Sequence, residues 1–353
     1  MGTDAGITMD ELELAARNHA TPQEALRYDV TPIGLHYLLI HYDIPTVDAG
    51  AFRLRIEGRV ARPMELSLDE LRGRPAVTSE VTLECAGNGR ALLEPRAISQ
   101  PWLRGAVGTA AWTGTPLAPL LVEAGVRDGA LDVAFAGLDH GIEGDVEQDY
   151  ERGLSLAEAT RPDVLLAYEM NGQPLPPQHG SPLRLVVPGW YGMTHVKWLT
   201  RIRVLDTPFV GYQNIIGYRY RTSEDDPGTP IERIRVRSLT VPPGVPVFQP
   251  RTRAVGAGPV PLSGRAWSGT APIVRVEVST DGGATWDDAD LGPEPQPHAW
   301  RSWSFEWNAR PGKHAVCSRA TDGDGETQPD TPAWNVGGYL NNAVERVEVE
   351  VRE

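Results

Sequence analysis

The sequence predicts an α+β chain in two parts: a mixed part of short helices and strands over residues 1–233, then an immunoglobulin-like β-sandwich over 234–353. Three observations carry this. Up to about Ile234, capped helices and apolar strands alternate irregularly, without the steady β-α-β rhythm of a doubly wound sheet. Beyond it, helical periodicity disappears and alternating runs such as Val274-Arg-Val-Glu-Val278 recur between Pro and Gly punctuation. At 353 residues the chain is also long enough for two ordinary cores.

Taken in order, Thr8-Met-Asp-Glu11 has the capping-box pattern, in which hydroxyl and carboxylate satisfy each other's backbone N–H groups, and it opens a helix to about Asn18. Residues 18–28 read as polar and irregular. The apolar stretch 31–45 carries His36 and His41, too far apart for the i, i+4 pair of a helical zinc site. Residues 52–57 alternate as a strand, and Ser67-Leu-Asp-Glu70 is a second capping box whose helix stops before Pro75. Residues 81–85 form a strand. Residues 101–108 read as loop, and Thr115, Pro116 and Gly125 as the cap, first position and stop of a third helix. Strands follow at 131–135, 164–168, 183–187 and from after Lys197 to Val204, with a helical turn at Ser155-Leu-Ala-Glu158 and a tight turn at Asn171-Gly172. In the second part, Asp281-Gly-Gly283 turns a hairpin with Trp286 on its return strand, and 303–307, 314–319 and 344–351 are further strands. Cys317 lies on one of them with no anion-binding pattern around it and reads as structural.

Composition narrows the function. Apolar content of 41% and charged content of 23% suit a folded globular chain. A net charge of −14 argues against a nucleic-acid or anionic-membrane partner, so an anionic substrate must be captured by a local cluster of cations. Two cysteines are too few for a disulfide framework, and no CxxC or CxxCH motif occurs. The first twenty residues are acidic and polar, with no apolar leader core or twin arginine. That suggests a cytoplasmic protein, or a mature chain whose leader has been removed. No apolar run approaches a membrane span.

The chemistry gathers in Val81-Thr-Leu-Glu-Cys-Ala-Gly-Asn-Gly-Arg90. A β-favouring run delivers one thiol, and glycines behind it let backbone N–H groups approach a bound group closely. Arg90 is near enough in sequence to hold an anion beside the sulfur. A lone cysteine in a strand is usually a small buried hydrophobe, but a thiolate beside anion-binding groups suggests a thiophilic metal or redox centre.

Glu-Cys-Ala-Gly-Asn-Gly-Arg resembles the molybdenum-ligating segment of the sulfite oxidase family of molybdopterin enzymes. The resemblance extends to Trp112-Thr-Gly114, Gly137-Leu-Asp139, Leu166-Ala-Tyr-Glu-Met-Asn-Gly172, His179-Gly180 with Arg184, Val186-Val-Pro-Gly189 and Val196-Lys-Trp-Leu199. In the second half Arg265-Ala-Trp-Ser-Gly269, Ser279-Thr-Asp-Gly-Gly-Ala-Thr-Trp286 and Pro332-Ala-Trp-Asn335 look like that family's dimerisation domain. The resemblance implies a haem-free homodimer with a molybdopterin-binding domain and an immunoglobulin-like domain. By matching position, Cys85 would be the protein ligand to molybdenum. His41, Asp139, His179, Arg184, His195, Val196 and Lys197 would hold the pterin and its phosphate. Arg90 would bind a substrate oxyanion, Trp102 would wall the pocket, and Tyr218 would be the active-site tyrosine.

The chain departs from that pattern at Leu39 and Gly89, where animal sulfite oxidases have arginine, and at His195, where serine is frequent. One or two cations expected around sulfite are thus absent. The resemblance implies oxygen-atom transfer with sulfite to sulfate as the leading reaction and a separate electron acceptor. Reduction of nitrate or a sulfoxide on the same cofactor is the nearer alternative, and a cofactor-free β-sandwich binding protein the farther one.

Overall fold

The structure is a computed structural model that describes residues 6–353. Its first half is built on two sheets. One has the order Met64–Ser67, Arg53–Gly58, Arg201–Leu205, Asp132–Glu143, Val146–Ser155, with only the pairing of Arg53–Gly58 and Arg201–Leu205 parallel. The other runs Val77–Glu84, Val107–Pro116, Leu165–Met170, Gln173–Pro174, with Arg184–Val186 on the free side of Leu165–Met170. Leu54, Ile56, Leu117, Phe135, Leu166 and Leu185 fill the core between the sheets and the short helices, all removed from water.

The expected helices form, and most of their expected start and stop signals hold. Thr8 and Ser67 each complete a capping box, on Met9–Arg17 and Leu68–Arg72. Ser155 caps Leu156–Ala159, and Gly125, left-handed at φ 68°, ends Leu117–Ala124. Asn171 and Gly172 both take positive φ, as the tight turn requires.

Two readings are corrected. Residues 107–116, read partly as loop and partly as the approach to a helix, form a ten-residue strand. Its pairing explains the Trp112-Thr-Gly motif: the strand bulges between Thr113 and Gly114, and a Cβ on Gly114 would lie 2.2 Å from the Leu166 carbonyl oxygen. Pro116 therefore occupies the cap place itself, without a side-chain cap, and the Thr115 hydroxyl donates instead to the Pro75 carbonyl at 3.3 Å. The strand at 131–135 runs on to Glu143 through a bulge at 136–140 and pairs with Val146–Ser155, a strand too polar to show an apolar pattern.

The second half is a sandwich of a four-stranded sheet (Arg237–Thr240, Gly258–Trp267, Arg301–Ala309, Asp290–Leu291) and a six-stranded sheet centred on Glu345–Arg352, Gly312–Asp322 and Ile273–Ser279. Leu262, Trp303, Val276, Val316 and Val349 close its interior, and Cys317 is fully buried as a structural thiol. A further cluster, with Ala86, Val107, Met193 and Tyr218 from one half and Leu239, Trp267 and Trp300 from the other, joins the two.

Candidate active site

Cys85 stands directly after Val77–Glu84, where the strand gives way to a turn. Its N–H donates to Ala106 O at 2.9 Å, and the Asn88 N–H closes the turn on Cys85 O at 2.9 Å. Asn88 is buried and pins the loop through both ends of its amide. It accepts from the Ala106 N–H at 3.1 Å and donates to Glu84 Oε1 at 2.8 Å. Gly89 holds φ 87°, a conformation that favours glycine. The Arg90 guanidinium lies so close over Gly87 that a Cβ there would sit 2.8 Å from it.

The second half completes this turn. Glu84, buried, accepts from Arg237 Nη1 at 2.8 Å and from the Trp267 indole at 2.8 Å. Asn341 Nδ2 donates to Gly89 O, and the Leu340 N–H to Ala86 O, each at 2.9 Å. Arg90 Nε donates to Gly337 O at 2.9 Å, while its guanidinium stacks 4.8 Å from the Tyr339 ring centroid. Asn335 shapes that loop, accepting from the Tyr339 N–H and donating to Tyr339 O.

Two cavities share Cys85 on their walls. The first, about 600 Å³ including its mouth, is walled by Cys85, His36, His41, Asp139, His179, Arg184, His195, Lys197 and Tyr218. Neither of its cations, Arg184 and Lys197, makes a salt bridge among the described residues, although Asp139 is near enough to Lys197 to act on its charge. Arg184 donates to His179 O and His195 O, stacks 4.6 Å from the Trp112 ring centroid, and leaves Nε without a partner. Burial pulls its pKa down to about 10. Lys197 donates to Leu39 O at 2.8 Å and Gln178 O at 3.3 Å. Burial, then the Arg184 charge, lowers its pKa, while burial raises Asp139 against the pull of Lys197.

The imidazoles are neutral: burial pushes His36 to about 4, His41 to about 3 and His179 to about 2. His36 Nε2 and Asp139 Oδ1 are buried without hydrogen-bond partners. Unpaired buried polar groups call for a guest that satisfies them.

The second cavity, about 800 Å³ with its mouth, is bounded by Cys85, Arg90, Trp102, Tyr218, Tyr339, Gln100 and Glu143, with Leu14, Leu39, Ile40 and Ile142 as its apolar wall. His41 and Tyr218 border both cavities and share a hydrogen bond, His41 Nε2 to Tyr218 hydroxyl, at 2.6 Å. Burial raises the Cys85 thiol above its usual pKa; Arg90, the Gly87 N–H and the Trp102 indole pull it back down.

Of the residues expected from sequence, all but Val196 line one cavity or both. Val196 is fully buried in the aliphatic core. His195 reaches the wall, but its ring is committed inside the protein: Nδ1 accepts from the Val187 N–H at 3.1 Å and Nε2 lies 3.0 Å from Trp190 O. Sequence reasoning passed over His36, Tyr37, Tyr150, Glu143, Gln100 and Tyr339 as site residues. His36 had a signal, a second histidine in the same apolar stretch. Tyr339 had none, since only tertiary packing brings it to Arg90.

Compared with known proteins, residues 41–213 match the family described as oxidoreductase molybdopterin binding domain, and residues 230–352 the Mo-co oxidoreductase dimerisation domain. The chain is 37% identical over 337 residues to sulfite oxidase of Gallus gallus, covering 90% of this chain and 72% of that protein. It is 36% identical over 359 residues to mitochondrial sulfite oxidase of Rattus norvegicus, covering 95% of this chain but 64% of that one, so it spans under two thirds of that relative's length. It is 33% identical to a nitrate reductase [NAD(P)H] of Hordeum vulgare, over 91% of this chain and 39% of that protein. Among solved structures, the sulfane dehydrogenase SoxCD from Paracoccus pantotrophus superposes with a TM-score of 0.81 at 26% identity, covering 99% of this chain and 92% of that one.

Proposed function

Because the chain belongs to the sulfite oxidase family of molybdopterin oxidoreductases, we propose that it oxidises a small sulfur compound by oxygen-atom transfer, with sulfite to sulfate as the reference reaction. The observation that carries this reading is the placement of Cys85 on the shared wall of two cavities, one suited to the cofactor and one to the substrate.

The first cavity fits a phosphorylated pterin. Arg184 and Lys197 offer two charges to a phosphate, and buried guanidinium suits that geometry. His36 Nε2 and Asp139 Oδ1, orphaned in the protein alone, supply a donor or acceptor for the polar edges of a heterocycle. His179 lies among them, its ring 5.7 Å from that of His36. Cys85, whose thiol burial raises in pKa, would hold the metal as a thiolate. Molybdenum bound there would supply oxygen-atom and two-electron chemistry.

The protein's own groups do the rest. Arg90, fixed between Gly87 and Gly338 over Tyr339, orients an oxyanion beside the sulfur. Trp102 and Leu39 restrict the approach. Neutral His41 and the Tyr218 hydroxyl form a short path along which a proton leaves the substrate side. We further propose that the chain works as a homodimer through its second half and passes its electrons to a separate acceptor protein.

Steady-state assays with ferricyanide as acceptor, on protein of measured molybdenum content, test the reading. Sulfite-dependent reduction is expected, and nitrate reduction by a reduced dye is expected to be absent. Nitrate turnover without sulfite turnover would reverse the proposed direction.

A further inference from the structure

Among the described residues, Arg90 is the one Lys or Arg on the wall of the substrate cavity. Arg90 is held rigidly: a Cβ on Gly338 would lie 2.6 Å from its Cγ and one on Gly87 2.8 Å from its guanidinium. Among the described residues no second Lys or Arg lines the space, and a carboxylate, Glu143, does. Glu143 Oε2 is fixed by Tyr42 at 3.0 Å and Gln213 at 2.7 Å. The phenols are engaged as well, Tyr42 with Glu143, Tyr218 with His41 and Tyr339 with Gly217 O at 3.3 Å. The rest of the wall carries no charge: Leu14, Leu39, Ile40 and Ile142 give it an aliphatic side, and Ser99, Gln100 and Trp102 complete it. Arg184 and Lys197 belong to the other cavity.

One guanidinium neutralises one charge. A doubly charged oxyanion would leave its second charge facing a carboxylate and uncharged side chains, with no second cation to neutralise it, an arrangement disfavoured by incomplete solvation. The same aliphatic wall would gain nothing from a bare oxyanion, but would bury a carbon substituent.

We propose that the preferred substrate is an organosulfinate, R–SO2−. Its single charge meets Arg90 and its organic arm lies against Leu39, Ile40 and Leu14. This rests on the reading of oxygen transfer to sulfur given above. The step is R–SO2− plus water giving R–SO3−, two protons and two electrons. One S–O bond forms at the expense of the sulfur lone pair, both O–H bonds of the water break, and the electrons go to the separate acceptor.

The test compares methanesulfinate with sulfite on the molybdenum-replete enzyme, with ferricyanide accepting the electrons. A kcat/KM at least about tenfold higher for methanesulfinate is expected, the worth of one unmatched charge contact at its low end. Calorimetry adds a readout independent of turnover: methanesulfonate should bind more tightly than sulfate. Leu39→Arg places a second guanidinium on the same wall and keeps the backbone carbonyl that holds Lys197. It should move both ratios toward the doubly charged anion by about tenfold or more. The wild-type comparison decides by itself if that variant folds poorly. Sulfite preferred over methanesulfinate by the wild-type enzyme overturns this inference and leaves the oxygen-transfer reading standing. Oxidation of neither compound by metal-replete protein overturns both.

Discussion

Replacing Glu84 with Ala tests how the catalytic turn is held. Glu84 and Arg237 form an ion pair at 2.8 Å whose side chains are 2% and 3% exposed, and the carboxylate also accepts from Asn88 and Trp267. Alanine leaves the guanidinium with one carbonyl partner, Asn341 O at 2.9 Å, and strands the Trp267 indole N–H. Removing one member of a buried pair costs about 3–5 kcal/mol, because the surviving charge stays desolvated. For a domain of this size that corresponds to a fall in unfolding midpoint of roughly 6–20 °C. The assay is thermal and urea unfolding of wild type, Glu84→Ala, Arg237→Met and the double variant, with molybdenum content measured alongside. The two single losses should overlap strongly, leaving a coupling of about 2 kcal/mol or more, since the double variant has no stranded charge. Metal content should fall in Glu84→Ala, because Cys85 is the next residue and shares the pinned turn. A loss below about 1 kcal/mol, or single effects that add within about 0.5 kcal/mol, would refute the reasoning.

Three further outcomes follow from the geometry. Cys85→Ser should hold turnover below about 1% of wild type, a loss above roughly 2.7 kcal/mol of transition-state stabilisation, while the unfolding midpoint moves by only a few degrees; normal turnover would remove the metal-ligand role. Arg184→Met should sharply reduce molybdenum content, yet cofactor-free protein should unfold at an equal or higher temperature, because the wild-type guanidinium is buried with no close acidic partner; full metal loading by elemental analysis would contradict it. Glu11 carries an acid-labile tie: Arg96, foremost, holds its pKa down to about 2 against burial. A depressed carboxylate stabilises fully above its unfolded pKa near 4.5 and loses that contribution as pH falls toward 2, about 3 kcal/mol in all. Urea midpoints from pH about 4.5 downward should therefore fall more steeply in wild type than in Glu11→Gln, and parallel curves would sink the assignment.

What sequence reasoning could read were features whose cause is local. The capping boxes at Thr8 and Ser67, the stop at Gly125, the turn at Asn171-Gly172 and the alternation of Glu345–Arg352 each depend on a few neighbouring residues. What it missed depends on partners elsewhere. Val107–Pro116 is a strand because Val77–Glu84 and Leu165–Met170 flank it, and those pairings overrode the Gly and Pro signals within it. Val146–Ser155 is polar because it lies at the edge of its sheet, where alternation is weak. In the site, resemblance placed ten of eleven residues on the cavity walls. It could not show that both nitrogens of His195 are already engaged, nor that Gly89 has a φ of 87° with Asn341 packed against it. An arginine at position 89 would be strained here, so the missing cation at that position reflects backbone conformation as much as substrate.

The second half helps to shape the candidate active site rather than standing apart from it. Arg237 and Trp267 neutralise and hold Glu84, the residue before the thiol, while the loop from Asn335 to Asn341 supplies the ring under Arg90 and hydrogen bonds to Ala86 and Gly89. A first half standing alone would leave Glu84 without Arg237 and Trp267 and Arg90 without Tyr339 and Gly337, and would open the apolar surface of Ala86, Met193 and Tyr218 to water. Under the proposed function, the same dependence would explain how a chain of net charge −14 serves an anion. The attraction is created locally, by positioning one guanidinium from two directions, and the long-range field of the protein contributes nothing favourable to it.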